Sequence, residues 1–280
     1  MALNTDKNSY TIIFAVIMVV VVGSVLAFTS STLASKIASN KKIEKQQNIL
    51  FAMGVKDPNN PNAFVPADQA QKLFNQYIGD NQYIVQGDKA IKTVKAFDIN
   101  VKAEGDKAKK DTSYTRKLPL FVGTKGTEKF YVIPMRGNGL WDAIWGYVSL
   151  DQKFQTVKGA IFDHKGETPG LGANIKESFF RDDFIGEYIV DAKGAYQGIT
   201  VKKGNGDPKN QRKKDNAVDA LAGATITGNG VTQMVKSGIR MYMPYFNLLK
   251  NKRNYASRLF TKRSVIFKEK QKVIKRPVIR

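Results

Sequence analysis

The chain has 280 residues, 42% of them apolar, enough for one large domain with a packed core beyond any membrane segment. It has no cysteine and a single histidine, His164, which excludes disulfides, thiolate or histidine-cluster metal sites, iron–sulfur ligation and cysteine nucleophiles, so that any redox chemistry must come from an organic cofactor. The formal charge of +21 is unevenly placed: residues 251–280 hold eleven Lys or Arg against one Glu, and no nucleic-acid motif accompanies the scattered remainder, so a basic tail beside anionic lipid is preferred to a nucleic-acid partner.

Residues 1–9 form a short N-terminal segment. From Tyr10 to Phe28 there is no charge, and at 1.5 Å per residue the run approaches the ~30 Å hydrocarbon thickness, so one transmembrane helix is expected over 10–30. With only Lys7 and Asp6 ahead of it and no convincing small-x-small cleavage site behind, the run reads as a retained anchor in the lipid bilayer rather than a cleaved signal peptide. Lys36, Lys41, Lys42 and Lys45 follow the span, and their count favours a cytoplasmic main domain.

Residues 31–66 read as a juxtamembrane helix and a linker. Leu33, Ile37, Ile43, Leu50 and Met53 make a loose helical stripe that ends near Gly54, and DPNNPNAFVP carries three prolines, which forbids a regular element. A domain is expected over 67–250, opening with a short helix at 67–78. Strand character follows at 82–86, 91–97, 118–124, 130–135, 144–150 and 157–163. Several connections are too short for crossover helices, which predicts an α+β fold with a mostly antiparallel sheet and flanking helices. A further strand at 196–202, an exposed and mobile glycine-rich loop, and a helix over 227–248 opened by Thr227 complete it.

Three segments invite chemistry. In DALAGATITGNG, Gly223 and Ala224 leave room around Thr225 and Ile226 ahead of the helix, whose unpaired N–H groups suit a phosphate; the plain alternative is a tight turn capped by Thr227. In DHKGETPGLGANI, His164, Glu167, Thr168, Gly170, Leu171 and Gly172 make a loop that passes close to something flat or bulky, or a structural turn with a satisfied histidine. In RGNGLWDAIWGYVSL, Gly139, Leu140, Trp141 and Asp142 precede Trp145, and the two indoles either stack on a ring system or pack in the core.

Taken in order, the anchor, GLW, WGY, HKGETPGLG and GAT resemble the NqrC family, the C subunits of the sodium-translocating NADH:quinone oxidoreductases, over nearly the whole chain. Asp219, Gly223, Ala224 and Thr225 match that family's flavin-attachment pattern Asp-x-x-Ser/Thr-Gly-Ala-Thr, with Ala222 where the family has Ser or Thr. The resemblance implies FMN joined through its phosphate to the Thr225 hydroxyl by a separate magnesium-dependent flavin transferase that uses FAD. It implies Gly139–Asp142 and Glu167–Gly172 near the flavin, with Trp141 or Leu171 against a ring face and Thr168 offering a hydrogen bond. It also implies no catalytic acid or base and no metal site on this chain, partner subunits in a membrane complex, and a single-pass protein of the bacterial inner membrane with its flavin domain on the periplasmic side. That side is preferred to the one the lysine count favours, because long domains are translocated despite flanking charge. The G subunit of the Rnf-type ferredoxin:NAD oxidoreductases shares the same motifs in a chain that is usually shorter. A non-redox, membrane-tethered binding protein would explain the charge but not the three glycine-rich segments, and a hydrolase would lack a nucleophile elbow.

Overall fold

The computed structural model describes residues 7–255. The start of the N-terminal segment and the basic tail beyond residue 255 lie outside the described residues. Contacts divide the chain between Gln46 and Gln47 into an N-terminal helical unit and a larger unit.

A single helix, α1, runs Asn8–Ala52. Its N-terminal stretch is apolar on all sides, with a mean hydropathy of 2.9 over its most apolar window, and is long enough to cross a membrane. The side chains from Ile12 to Phe28 are exposed, which a soluble helix with one buried face would not show. Thr29 and Thr32 donate their hydroxyls to the carbonyls of Val25 and Phe28, 2.8 and 2.9 Å away, so each polar side chain is satisfied within the helix.

The larger unit begins at Gln47 rather than at the expected residue 67, because the end of α1 carries core side chains. Ile49, Leu50, Phe51, Ala52 and Met53 are all at most 3% exposed, and Val65 in the proline-rich segment is buried as well. Helix α2, Ala67–Tyr77, matches the expectation at 67–78. Strands β1 (Gln82–Gln86), β2 (Lys89–Lys92), β3 (Leu118–Lys125), β4 (Glu128–Asn138), β5 (Ala143–Leu150) and β6 (Val157–His164) form one sheet in the order β2-β1-β3-β4-β5-β6, every pair antiparallel.

The expected strand at 91–97 stops at Lys92. Thr93 turns the chain by accepting the Lys95 N–H on its hydroxyl, and Val94–Asp98 form a 3₁₀ turn. A further helix, α3, Val101–Lys110, was not anticipated from its weakly apolar sequence; Asn100 caps it by accepting the N–H groups of Lys102 and Ala103.

After β6 come a 3₁₀ turn at Gly172–Lys176, the short helix α4 (Ser178–Arg181), and a small parallel pair, β7 (Thr200–Lys202) with β8 (Ala217–Asp219). Helix α5 covers Thr225–Arg240 and, after a turn at Met241 and Tyr242, helix α6 covers 243–255. The single expected helix at 227–248 is therefore two, and it starts at Thr225 with Ala224 as its N-cap. One sheet face packs Leu120, Ile133, Met135 and Val148 against Val231, Val235 and Ile239 of α5 and Tyr242 and Phe246 beyond it. The other face meets the end of α1 and α2 through Phe121, whose ring lies 6.3 Å from that of Phe74. With both faces covered, the α+β architecture has its core inside residues 47–250, and the end of β4 delivers residues 139–142 to one edge of α5.

Candidate functional site

Three segments far apart in sequence converge at the N-terminus of α5. They are the β4–β5 connection Gly139–Asp142, the loop Glu167–Gly172 after β6, and residues 222–227. Glu167 holds them together. It is 5% exposed, and its carboxylate accepts the Thr227 hydroxyl at 2.5 Å, the Trp141 backbone N–H at 2.9 Å and, more distantly, that of Asp142 at 3.5 Å. Burial pushes this carboxyl up, but hydrogen bonds from Thr227 and from the N–H groups of Trp141, Leu140 and Asp142 outweigh it and hold the pKa below the ordinary value. The glycines make room for the carboxylate. A Cβ on Gly139 would sit 2.5 Å from Glu167 Oε1, and one on Gly172 would sit 2.5 Å from both Glu167 Oε2 and Thr227 Oγ1.

Thr227 is therefore not the cap of α5; it sits in the first turn and ties the helix to the Glu167 loop. His164 acts one step back, its Nδ1 accepting the Glu167 N–H at 3.1 Å, which leaves the proton on Nε2. Asp142 is paired with Lys165 at 2.9 Å, and that bond with the Ala143 N–H lowers its pKa. Thr168 accepts the indole N–H of Trp141 at 3.2 Å, so its hydroxyl already orients the ring.

Beside this clamp lies a cavity of about 220 Å³ lined by Leu140, Glu167, Thr168, Leu171, Gly172, Gly223, Ala224, Thr225, Ile226 and Thr227. Trp141 stands at its rim, 69% exposed, and Leu140, Leu171 and Ile226 are 47%, 41% and 55% exposed. Four large apolar side chains kept in water around one cavity have no folding rationale and suit a flat apolar ligand. Thr225 is exposed at the first position of α5, and the N–H groups of Thr225, Ile226 and Thr227 donate to no group among the described residues. A cluster of unpaired donors at the positive end of a sixteen-residue helix suits a phosphate. Gly223 adopts φ +70°, a left-handed conformation open to few other residues, and turns the chain tightly into the helix.

The site thus brings together all but four of the expected residues at the cavity or its rim. Gly139 makes room for Glu167 from behind, His164 and Gly170 serve the loop, and Asp142 faces Lys165. Neither indole is core: Trp141 is exposed, and Trp145 is half-buried under the Arg136 guanidinium, 5.9 Å from its ring. Two partnerships were not anticipated. The Glu167–Thr227 bond spans sixty residues and leaves no local trace in sequence. Asp219 accepts the N–H groups of Gly206 and Asp207, so it braces the glycine-rich loop just ahead of residues 222–227.

This combination, an antiparallel sheet presenting two glycine-rich loops to the N-terminus of a helix, is that of an FMN-binding domain, whose family model matches residues 139–240. The chain is 31% identical over 245 residues to the C subunit of the Na(+)-translocating NADH-quinone reductase of Vibrio anguillarum, covering 82% of this chain and 90% of that one. It is 29% identical over 262 residues to the corresponding subunit of Neisseria meningitidis serogroup B, covering 90% and 98%. The crystal structure of the Parabacteroides distasonis counterpart superposes with a TM-score of 0.63 at 28% identity, over 76% of this chain and 96% of that one. The chain belongs to the NqrC family, the C subunits of the Na(+)-translocating NADH-quinone reductases.

Proposed function

We propose that this chain is the FMN-carrying electron-transfer subunit of a sodium-pumping NADH:quinone oxidoreductase, anchored by α1 in the bacterial inner membrane. In this reading FMN is joined by a phosphoester to the Thr225 hydroxyl. The observation that carries the reading is the exposed hydroxyl at the first position of α5, next to three unpaired N–H groups and a cavity rimmed by exposed Leu140, Trp141, Leu171 and Ile226. Bound FMN supplies reversible one- and two-electron chemistry.

The residues present fit that group. The helix N-terminus would receive the phosphate, the small side chains of Ala222 and Gly223 keep the hydroxyl accessible to the flavin transferase, and the four apolar side chains would flank the ring. Glu167 holds the loops that carry them, so its role is positional. No general acid or base on this chain is required in this reading. Alanine at 222 removes a hydroxyl beside the ester but leaves acceptor and donors in place. The domain is assigned to the periplasmic side, with electrons exchanged among partner subunits.

After co-expression with a flavin transferase, the denatured full chain should fluoresce under ultraviolet light on a gel, and Thr225→Ala should not. Fluorescence that persists in the variant would move the attachment elsewhere. A dark wild type beside an active transferase would rule out the covalent flavin.

A further inference from the structure

On the far side of the 139–142 connection lies a second cavity, of about 300 Å³, between α3, the end of β4 and the last turn of α5. Its charged lining is Lys102, Lys109, Arg116 and Arg136 against Asp106 and Asp142. Both carboxylates are engaged, Asp106 by Lys102 at 2.5 Å and Asp142 by Lys165 at 2.9 Å. Neither arginine has a carboxylate within ion-pair distance among the described residues. Arg116 donates to the sulfur of Met241, at 3.5 Å, and Arg136 lies over the Trp145 ring.

Arg116 is held in place. The buried carboxylate of Glu104 accepts the Tyr114 hydroxyl at 2.7 Å and the Lys117 N–H at 2.8 Å, fixing the chain on both sides of it. Burial raises the Glu104 carboxyl, but bonds from Lys107, Lys117 and Tyr114 outweigh it, so the anchor stays ionised at neutral pH. Gly105 interrupts α3 at a position where a Cβ would meet nothing closer than the Arg116 guanidinium, at 4.0 Å. A glycine inside a helix is unfavourable relative to alanine, and here it leaves the cavity open beside the arginine. The N-terminal N–H groups of α3 are already capped by Asn100, so the positive potential is that of the guanidiniums.

We propose that this cavity is an oxyanion site that takes a phosphate group between Arg116 and Arg136. Planar guanidiniums match phosphate oxygens with paired hydrogen bonds, and two without carboxylate partners in one cavity leave that match unfilled. The volume admits a phosphate together with part of its substituent. Two sources share this chemistry, free phosphate and the headgroup of an anionic phospholipid.

The detergent-solubilised full chain would be titrated calorimetrically with inorganic phosphate at ionic strength fixed by chloride, and in a second arm with glycerophosphoglycerol, the soluble headgroup of phosphatidylglycerol. Saturable binding is expected in at least one arm, and the arm that binds tighter identifies the source. Arg116→Gln and Arg136→Gln should each weaken it about tenfold to a hundredfold, the scale of one charge-assisted hydrogen bond. Gly105→Leu, which fills the cavity while improving helix propensity, should abolish it in a stably folded chain. No saturable binding in either arm, or binding that Gly105→Leu leaves intact, would overturn the proposal. Neither arginine touches the Thr225 cavity, so flavin attachment should be the same in all three variants.

Discussion

Glu167 sets the geometry of the site through its hydrogen bonds. Its carboxylate ties three segments together at once, and hydrogen bonds to an ionised acceptor contribute about 1.5–3 kcal/mol each. Glu167→Gln should lose on the order of 2 kcal/mol of unfolding free energy at pH 7, measured by denaturant titration, because an amide cannot accept from all of these donors. The pH dependence follows from the lowered pKa. The carboxylate's contribution is fully present above the ordinary value of 4.5 and is lost as pH falls through the lower folded-state value. The stability gap between wild type and variant should therefore close only below pH 4.5. Gly172→Ala should destabilise by roughly 1–3 kcal/mol, since the new methyl would press on both Glu167 and Thr227. At this scale the sequence pointed to the segments that the structure brings together, because Gly, Pro and Thr cluster visibly in two loops. It did not show which residue holds which, because a bond across sixty residues has no periodicity to reveal it.

Among the elements, the segment between α4 and β7 carries electrostatic tension where it packs on the loop between β7 and β8. Glu187 is fully buried with both carboxylate oxygens short of hydrogen-bond partners, and its nearest cation is Lys213 at 3.7 Å. Burial raises its pKa to about 7, with Lys213 pulling it down and Asp215 and Asp207 pushing it up. A carboxyl whose folded pKa is raised is penalised when ionised, so stability should fall as pH rises from 4.5 towards about 7 and stay level above that. Glu187→Gln should flatten this slope and raise the unfolding free energy at pH 8 by up to about 3 kcal/mol, followed by thermal denaturation at several pH values. Element by element, the strands were legible because alternation and β-branched runs mark a sheet packed on its faces. The elements that differ from expectation share a physical cause in local bonds and long-range packing. Thr93 ended β2 by accepting the Lys95 N–H on its hydroxyl, α3 rests on a cap and a buried glutamate rather than an apolar stripe, and the expected helix over 227–248 is broken at Met241, where its two halves turn to keep Tyr242 and Phe246 on the same core.

For the molecule as a whole, the boundary of the folded unit lies inside α1. The last turn of that helix and the residue after it bury Ile49, Leu50, Phe51 and Met53, each contributing ~1.5–3 kcal/mol, a sum comparable with the entire stability of a typical domain. A chain starting at Gln47 should fold and stay in solution, whereas one starting at Ala67 should be recovered unfolded or aggregated, as circular dichroism and gel filtration would show. The apolar stripe in 33–53 was visible in sequence, but not that Leu50 and Met53 serve the domain while Leu33 and Ile37 remain exposed, since periodicity gives a face and not its partner.

The central claim is that Thr225 carries the flavin, and mass spectrometry of the tryptic peptide spanning residues 215–236, taken from the full chain matured with a flavin transferase, tests it most directly. The expected result is a peptide heavier by FMN less water, with fragmentation placing the added mass on Thr225 and not on Thr227 or Thr232. An unmodified peptide from a chain that nonetheless copurifies with flavin, or added mass on another residue, would contradict it.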